Sequence, residues 1–229
     1  MRTRFARFYN LPELMSMFRE VADVKTSDQL HLPVPEAEYH NIVAQPTEVQ
    51  KALVEKLSDR AARIHSGIVK PYEDNMLKVT SDGRKLGLDQ RIINDGYFDA
   101  PESKVNLCLE NIYRIWEEGK EDKLTQLVFC DLSTPTKGKD EFSVYADIRS
   151  KLVARGVPES EIGFIHDADT EQKKAALFSK VREGSVRVLL GSTAKMGAGT
   201  NCQTRLYAIH DLDAPWRPGD LERAPVKAI

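Results

Sequence analysis

The chain has 229 residues, 41% hydrophobic and 30% charged, with a formal net charge of −2. That balance excludes a disordered chain and fits one large globular domain, or a domain with an appendage. No apolar run approaches the ~20 residues a membrane helix needs, and the basic start Met1-Arg-Thr-Arg-Phe-Ala-Arg-Phe8 has no apolar stretch of the signal-peptide kind, so a cytoplasmic protein without a membrane partner is expected.

In chain order, Asn10-Leu-Pro-Glu13 places a carboxylate three residues after a capping residue. Leu11, Leu14, Met15, Phe18, Val21 and Ala22 then continue as a helical stripe. Leu32-Pro-Val-Pro35 breaks it. Asn41-Ile-Val-Ala44 reads as a short strand ended by Pro46. It is expected to join a sheet, because a lone strand leaves its backbone groups unpaired. Thr47-Glu-Val-Gln50 is a second capping box, opening a helix marked by Val49, Leu53, Leu57, Ala61 and Ile64. Residues 72–95 read as short helices broken at Ser81-Asp-Gly83, and Val105, Cys108, Leu109, Ile112, Ile115 and Trp116 mark another helix.

From about residue 124 the pattern changes. Leu127-Val-Phe-Cys130, Ile162-Gly-Phe-Ile165, Val186-Arg-Val-Leu-Leu190 and Leu206-Tyr-Ala-Ile209 are short apolar runs. Amphipathic segments separate them: one with Tyr145, Ile148 and Leu152 on a single face, and one capped by Asp169-Thr-Glu-Gln172. Such alternation predicts an α/β fold with a parallel sheet flanked by helices, following a helical N-terminal portion. Ligands bind such sheets at the carboxyl ends of the strands, which directs attention to the loops after Cys130, Ile165, Leu190 and Ile209. Cys108, Cys130 and Cys202 are far apart and sit in or beside apolar segments, so buried thiols are expected. The five scattered histidines give no support to a metal site.

The richest loop is Gly191-Ser-Thr-Ala-Lys-Met-Gly-Ala-Gly-Thr-Asn201. Glycines let backbone N–H groups approach phosphate, and hydroxyls and a lysine add donors; an ordinary glycine-rich turn is the alternative. The loop is not a P-loop, and Gly197-Ala-Gly199 fails as a dinucleotide fingerprint because the third glycine position is Cys202. Asp140-Glu141 follows a loop rather than an apolar strand and reads as a helix cap, not an acidic ATPase box. Trp216 beside Arg217, in a loop stiffened by Pro215 and Pro218, suits contact with nucleic acid; packing of the tryptophan onto the core is the alternative. The cations Lys173, Lys174, Lys180, Arg182 and Arg187 could face phosphates, but charge runs of this kind read first as solvated surface.

These residues resemble the second RecA-like lobe of Swi/Snf-type superfamily 2 DNA helicases and translocases. Ser192-Thr193, Gly199 and Asn201 match the family's fifth motif. Asp213, Trp216-Arg-Pro218 and Asp220-Leu221 match the segment that follows it. Leu127–Thr134 is similar to the fourth motif and His166–Lys174 to the next loop and helix, while Asp82–Arg91 takes the place of the family's helical protrusion. The closest flavour is that of large phage or conjugative-element helicase–methyltransferases.

The resemblance implies three parts: residues 1–38 as the end of lobe one and linker, 39–121 as the first strand of lobe two with the protrusion, and 122–229 as the C-terminal lobe. It implies DNA-phosphate contacts from Ser192, Thr193, Lys195, Trp216 and Ser133, and an ATP-facing wall from Gly197, Gly199 and Asn201. ATP with Mg would be the cofactor of the complete motor, with none held tightly by this chain alone. DNA and a first helicase lobe, or the rest of a larger polypeptide, would be the partners.

The sequence departs from the family at two places. Ala194 stands where a cation usually follows the threonine, and Glu222-Arg-Ala-Pro225 replaces the arginine-rich sixth motif. A lobe without independent ATP hydrolysis is therefore expected, incomplete at its end. A nucleotide-cofactor α/β enzyme and a non-catalytic interaction module are the alternative expectations.

Overall fold

The computed structural model describes residues 9–23, 25, 29, 37–135, 142–196 and 202–215. The chain divides into two compact units, Met1–Val34 and Pro35–Ile229. The first contains helix α1, Leu11–Val21, none of whose residues is buried. The expected cap at Asn10 forms differently. Its backbone is left-handed, its side chain makes no cap bond, and its amide turns to Glu13 instead.

In the second unit the capping box at Thr47 forms as read. The Thr47 hydroxyl accepts the Gln50 N–H at 3.1 Å, and the Gln50 side chain accepts the Thr47 N–H at 2.9 Å. It opens helix α2, Glu48–His65, whose stripe Val49, Leu53, Leu57, Ala61 and Ile64 is half-buried along its length. Helix α3, Met76–Leu88, runs unbroken through Ser81-Asp-Gly83. The expected break is overridden because Asp82 is tied to Arg60 of α2 at 2.8 Å, Arg60 also binds Asp74, and Val79, Leu86 and Leu88 are buried along the helix. Helix α4, Lys104–Glu118, buries Val105, Leu109, Ile112, Ile115 and Trp116, the predicted face.

The sheet is all-parallel, with strands β1 (Thr125–Phe129), β2 (Ile162–Phe164), β3 (Val188–Gly191) and β4 (Leu206–Asp211) in the order β2-β3-β1-β4. Helix α5 (Val144–Ala154) connects β1 to β2, helix α6 (Glu171–Glu183) connects β2 to β3, and a short helix α7 (Thr193–Met196) follows β3. Side chains alternate across the strands, as pleating requires. Val128, Cys130, Val188 and Leu190 join α4 and α5 in one core; Leu127, Phe129 and Leu189 join Val181 and Met196 in the other. Helices thus cover both faces of a four-stranded parallel sheet, the α/β class read from the sequence.

Two further expectations are corrected. Asn41–Ala44 forms no strand and is not in the sheet; Ile42 and Val43 are largely exposed. The cap of α6 is Thr170, whose hydroxyl accepts the Lys173 N–H at 3.2 Å, while Asp169 instead pairs with Lys173. Cys130 and Cys202 are buried and Cys108 is half-buried, all three as free thiols. Among the described residues no helix is long and apolar enough to cross a membrane.

Candidate functional site at the carboxyl edge of the sheet

Strands β1 and β3 are neighbours, but the chain leaves them in opposite directions. From β1 it passes over one face through α5 to β2, and from β3 it passes through α7 to β4 on the far side of β1. Adjacent strands with diverging connections open a crevice at their carboxyl ends, where α/β proteins bind ligands. The loops after β1, β3 and β4 meet there.

Carboxylates hold these loops together. Asp213, just past β4, accepts the Asp131 N–H on both of its oxygens at 2.9 and 3.1 Å, and the Leu132 N–H at 2.7 Å. Asp131, just past β1, accepts the Thr193 N–H at 2.6 Å across the crevice. From the helical segment, the Arg84 guanidinium donates to the Ala214 carbonyl at 2.7 Å. Burial, and then the charge of Asp131, pushes the Asp213 carboxyl up; its bonds from the two amides and the positive charge of Arg84 oppose the rise. Asp211 is exposed at the end of β4, but partial desolvation of its carboxyl, and then the charges of Asp213 and Asp131, push it up. Beneath them the Tyr145 hydroxyl donates to the Cys130 carbonyl at 2.6 Å, and burial keeps both the Tyr145 hydroxyl and the Cys130 thiol protonated to higher pH than usual.

The nominated residues divide into those the crevice presents, those it engages internally, and those outside the described residues. Thr193 opens α7 half-exposed and Lys195 is exposed, two residues on. Lys195 lies close enough to His166, after β2, to help burial lower the imidazole's proton affinity. Ser192 is buried, and its carbonyl accepts the Lys195 and Met196 N–H groups, so it starts α7. Ser133 has a positive φ of 56°, and its hydroxyl accepts the Val144 N–H at 3.1 Å. It caps α5 from eleven residues upstream of the helix's first residue, a task that Ser143, at the N-cap position, does not perform. Gly197, Gly199, Asn201 and Trp216 lie outside the described residues, as do Asp140 and Glu141.

Arg187 corrects the sequence reading, being neither solvated surface nor a phosphate-facing cation. It is buried at the opposite, amino edge of the sheet, donating to the Trp116 carbonyl at 2.6 Å and the Leu124 carbonyl at 3.1 Å.

The staking role of Asp131 and Asp213 was not evident from the sequence. Each follows an apolar strand, the one signal available, but their partner amides are 62 and about 82 residues away in the chain. Among the described residues no cluster of His, Cys, Asp and Glu is arranged to hold a metal ion. No protein-family model matches the chain, and no curated protein matches it. The class is defined by the fold: an α/β protein whose four-stranded parallel sheet is flanked by helices and whose loops converge on a switch-point crevice.

Proposed function

We propose that this chain is the C-terminal lobe of a Swi/Snf-type superfamily 2 DNA translocase, and that the crevice loops grip the phosphates of a duplex. The observation that carries the reading is the placement of residues 191–196, the start of the glycine-rich loop. It leaves β3 at the switch point, with the Thr193 amide fixed by Asp131 and Lys195 open to solvent. A pinned backbone beside a hydroxyl and a free-standing ammonium suits a phosphate oxygen. The motif register from Ser192 to Leu221 supports the same reading. In it, ATP with Mg belongs to a cleft closed by a first lobe that supplies the P-loop, and Gly197, Gly199 and Asn201 line this lobe's wall.

Duplex binding measured by fluorescence anisotropy at several salt concentrations tests the proposal. Binding is expected to be weak, tolerant of sequence and steeply lowered by salt. Thr193→Ala and Trp216→Ala should weaken it, and Lys195→Ala should weaken it and reduce the salt slope by about one. Equal binding by wild type and all three variants would overturn the surface. The chain alone is expected to show no DNA-stimulated ATP turnover, since it has no P-loop. Turnover abolished by Asn201→Ala would contradict that. A nucleotide cofactor held tightly by the chain alone would favour a small-molecule enzyme instead.

A further inference from the structure

The hydrogen bonds at the crevice run in series and in one sense. A carboxylate on one loop accepts backbone N–H groups from the next: Asp213 after β4 holds Asp131 and Leu132 after β1, and Asp131 in turn holds Thr193 after β3. At the head of the series, Arg84 of α3 grips the carbonyl of Ala214, the residue beside Asp213. The strands place the loop roots side by side but leave their tips unspecified; the carboxylates specify them. This arrangement has an electrostatic cost. Beyond the effect of burial, the charge of Asp131 raises the proton affinity of Asp213, the charges of both raise that of Asp211, Cys130 and Tyr145, and Arg84 is a cation that opposes the rise at Asp213. Three carboxylates converging beside a proposed phosphate surface oppose that function unless they hold something in place.

We propose that Asp213 is the positioning residue of the crevice. It fixes the β1 loop, and through Asp131 it fixes the first turn of α7, so that Thr193 and Lys195 are presented in one frame. The assignment rests on the proposed DNA-phosphate surface for its purpose, but not for its geometry.

Amide hydrogen exchange on the full chain, read residue by residue by NMR, tests the relay. In Asp213→Ala the amides of Asp131, Leu132 and Thr193 should all exchange about tenfold or more faster, the scale set by losing a charged acceptor. In Asp131→Ala the Thr193 amide alone should respond, with position 131 and Leu132 unchanged. The amides of Leu127 and Leu189, inside β1 and β3, should be unaffected in both. If Asp213→Ala leaves Thr193 protected, or accelerates Leu127 and Leu189 equally, the relay is wrong: the first outcome denies transmission and the second reports general loosening. Asp213→Ala should also weaken duplex binding by a factor comparable to Thr193→Ala. The expected exchange pattern with unchanged duplex binding would overturn the positioning role. A wild-type chain that binds no duplex would instead sink the functional reading, while the exchange pattern still decides the relay.

Discussion

His210 on β4 shows how a single side chain ties acidity to stability. Its Nε2 stands 2.9 Å from Gln126 Oε1. The Gln126 amide nitrogen already donates to the Ile112 carbonyl, so its oxygen is the end turned to the ring and Nε2 carries the proton. Burial, and then the charge of Arg114, pushes the imidazole down to about 4. The unfolded chain binds the proton near its ordinary value of about 6.5, whereas the folded chain waits until about 4. Stability should therefore fall as pH drops from about 6.5 to about 4, by roughly 3 kcal/mol at most, and no further from this group below that. An NMR titration should find the His210 ring unprotonated at pH 5.5, and His210→Gln should flatten this part of the pH profile; a midpoint near 6.5 would contradict the burial. Asp211 has the opposite sign. Its folded carboxyl holds the proton to a higher pH than the unfolded one, so its contribution is lost as pH rises. Asp211→Asn should raise Tm at pH 7 and change it little at pH 3, as thermal melts at the two values would show. A lower Tm at pH 7 would mean that Asp211 makes a bond outweighing its repulsion by Asp213 and Asp131.

At the scale of elements, two glycines with opposite expected behaviour separate local propensity from packing. Gly83 lies inside α3 with helical backbone, and an added Cβ would meet only Leu57 Cδ1, at 3.8 Å. Gly83→Ala should stabilise the protein by about 0.5–1 kcal/mol, as a midpoint shift in urea without a change in slope would show. Gly191 ends β3, where a Cβ would stand 2.5 Å from Ile165 Cγ2 and from Met196 Sδ. Gly191→Ala should destabilise by roughly 1–3 kcal/mol through displacement of α7, and a neutral result would mean that α7 shifts freely. The same contrast explains what the sequence revealed. The four strands, the Thr47 capping box and the buried faces of α4 and α5 were legible because their signals are periodic or lie within a few residues. Ser81-Asp-Gly83 misled because the Arg60–Asp82 pair lies 22 residues apart. Ile42-Val43 misled because β-branched propensity describes fit to a half-buried sheet, and no such surface adjoins these exposed residues. The crevice residues were legible as a loop after β3, but the carboxylate series that holds it joins three loops distant in sequence.

The second unit joins a helical segment to a sheet, and buried charge decides how firmly. Leu88, Val105, Leu109, Ile112 and Trp116 share one core with Val128, Val188 and Leu190, so apolar packing already crosses between the two parts. Arg91 adds a directed tie. Its guanidinium is 2.8 Å from Asp89, 3.1 Å from Asp99 and 3.0 Å from Asp147 of α5, and it stacks 4.2 Å from the Phe142 ring. Asp89 and Arg91 are both buried. Replacing such a pair with apolar groups is often tolerated, but removing one partner leaves a buried charge unopposed, at a cost of roughly 3–5 kcal/mol. Arg91→Met should therefore destabilise on that scale, and Arg91→Met with Asp89→Asn should recover part of the loss. Because the tie and the core span both parts, unfolding should remain a single event. In a Trp216→Phe background, fluorescence of the buried Trp116 and helical circular dichroism should report the same midpoint in the parent and shift together in Arg91→Met. A helical transition that precedes the Trp116 transition would show that the segment unfolds independently of the sheet, and that Arg91 stabilises a contact between separable parts rather than one cooperative unit.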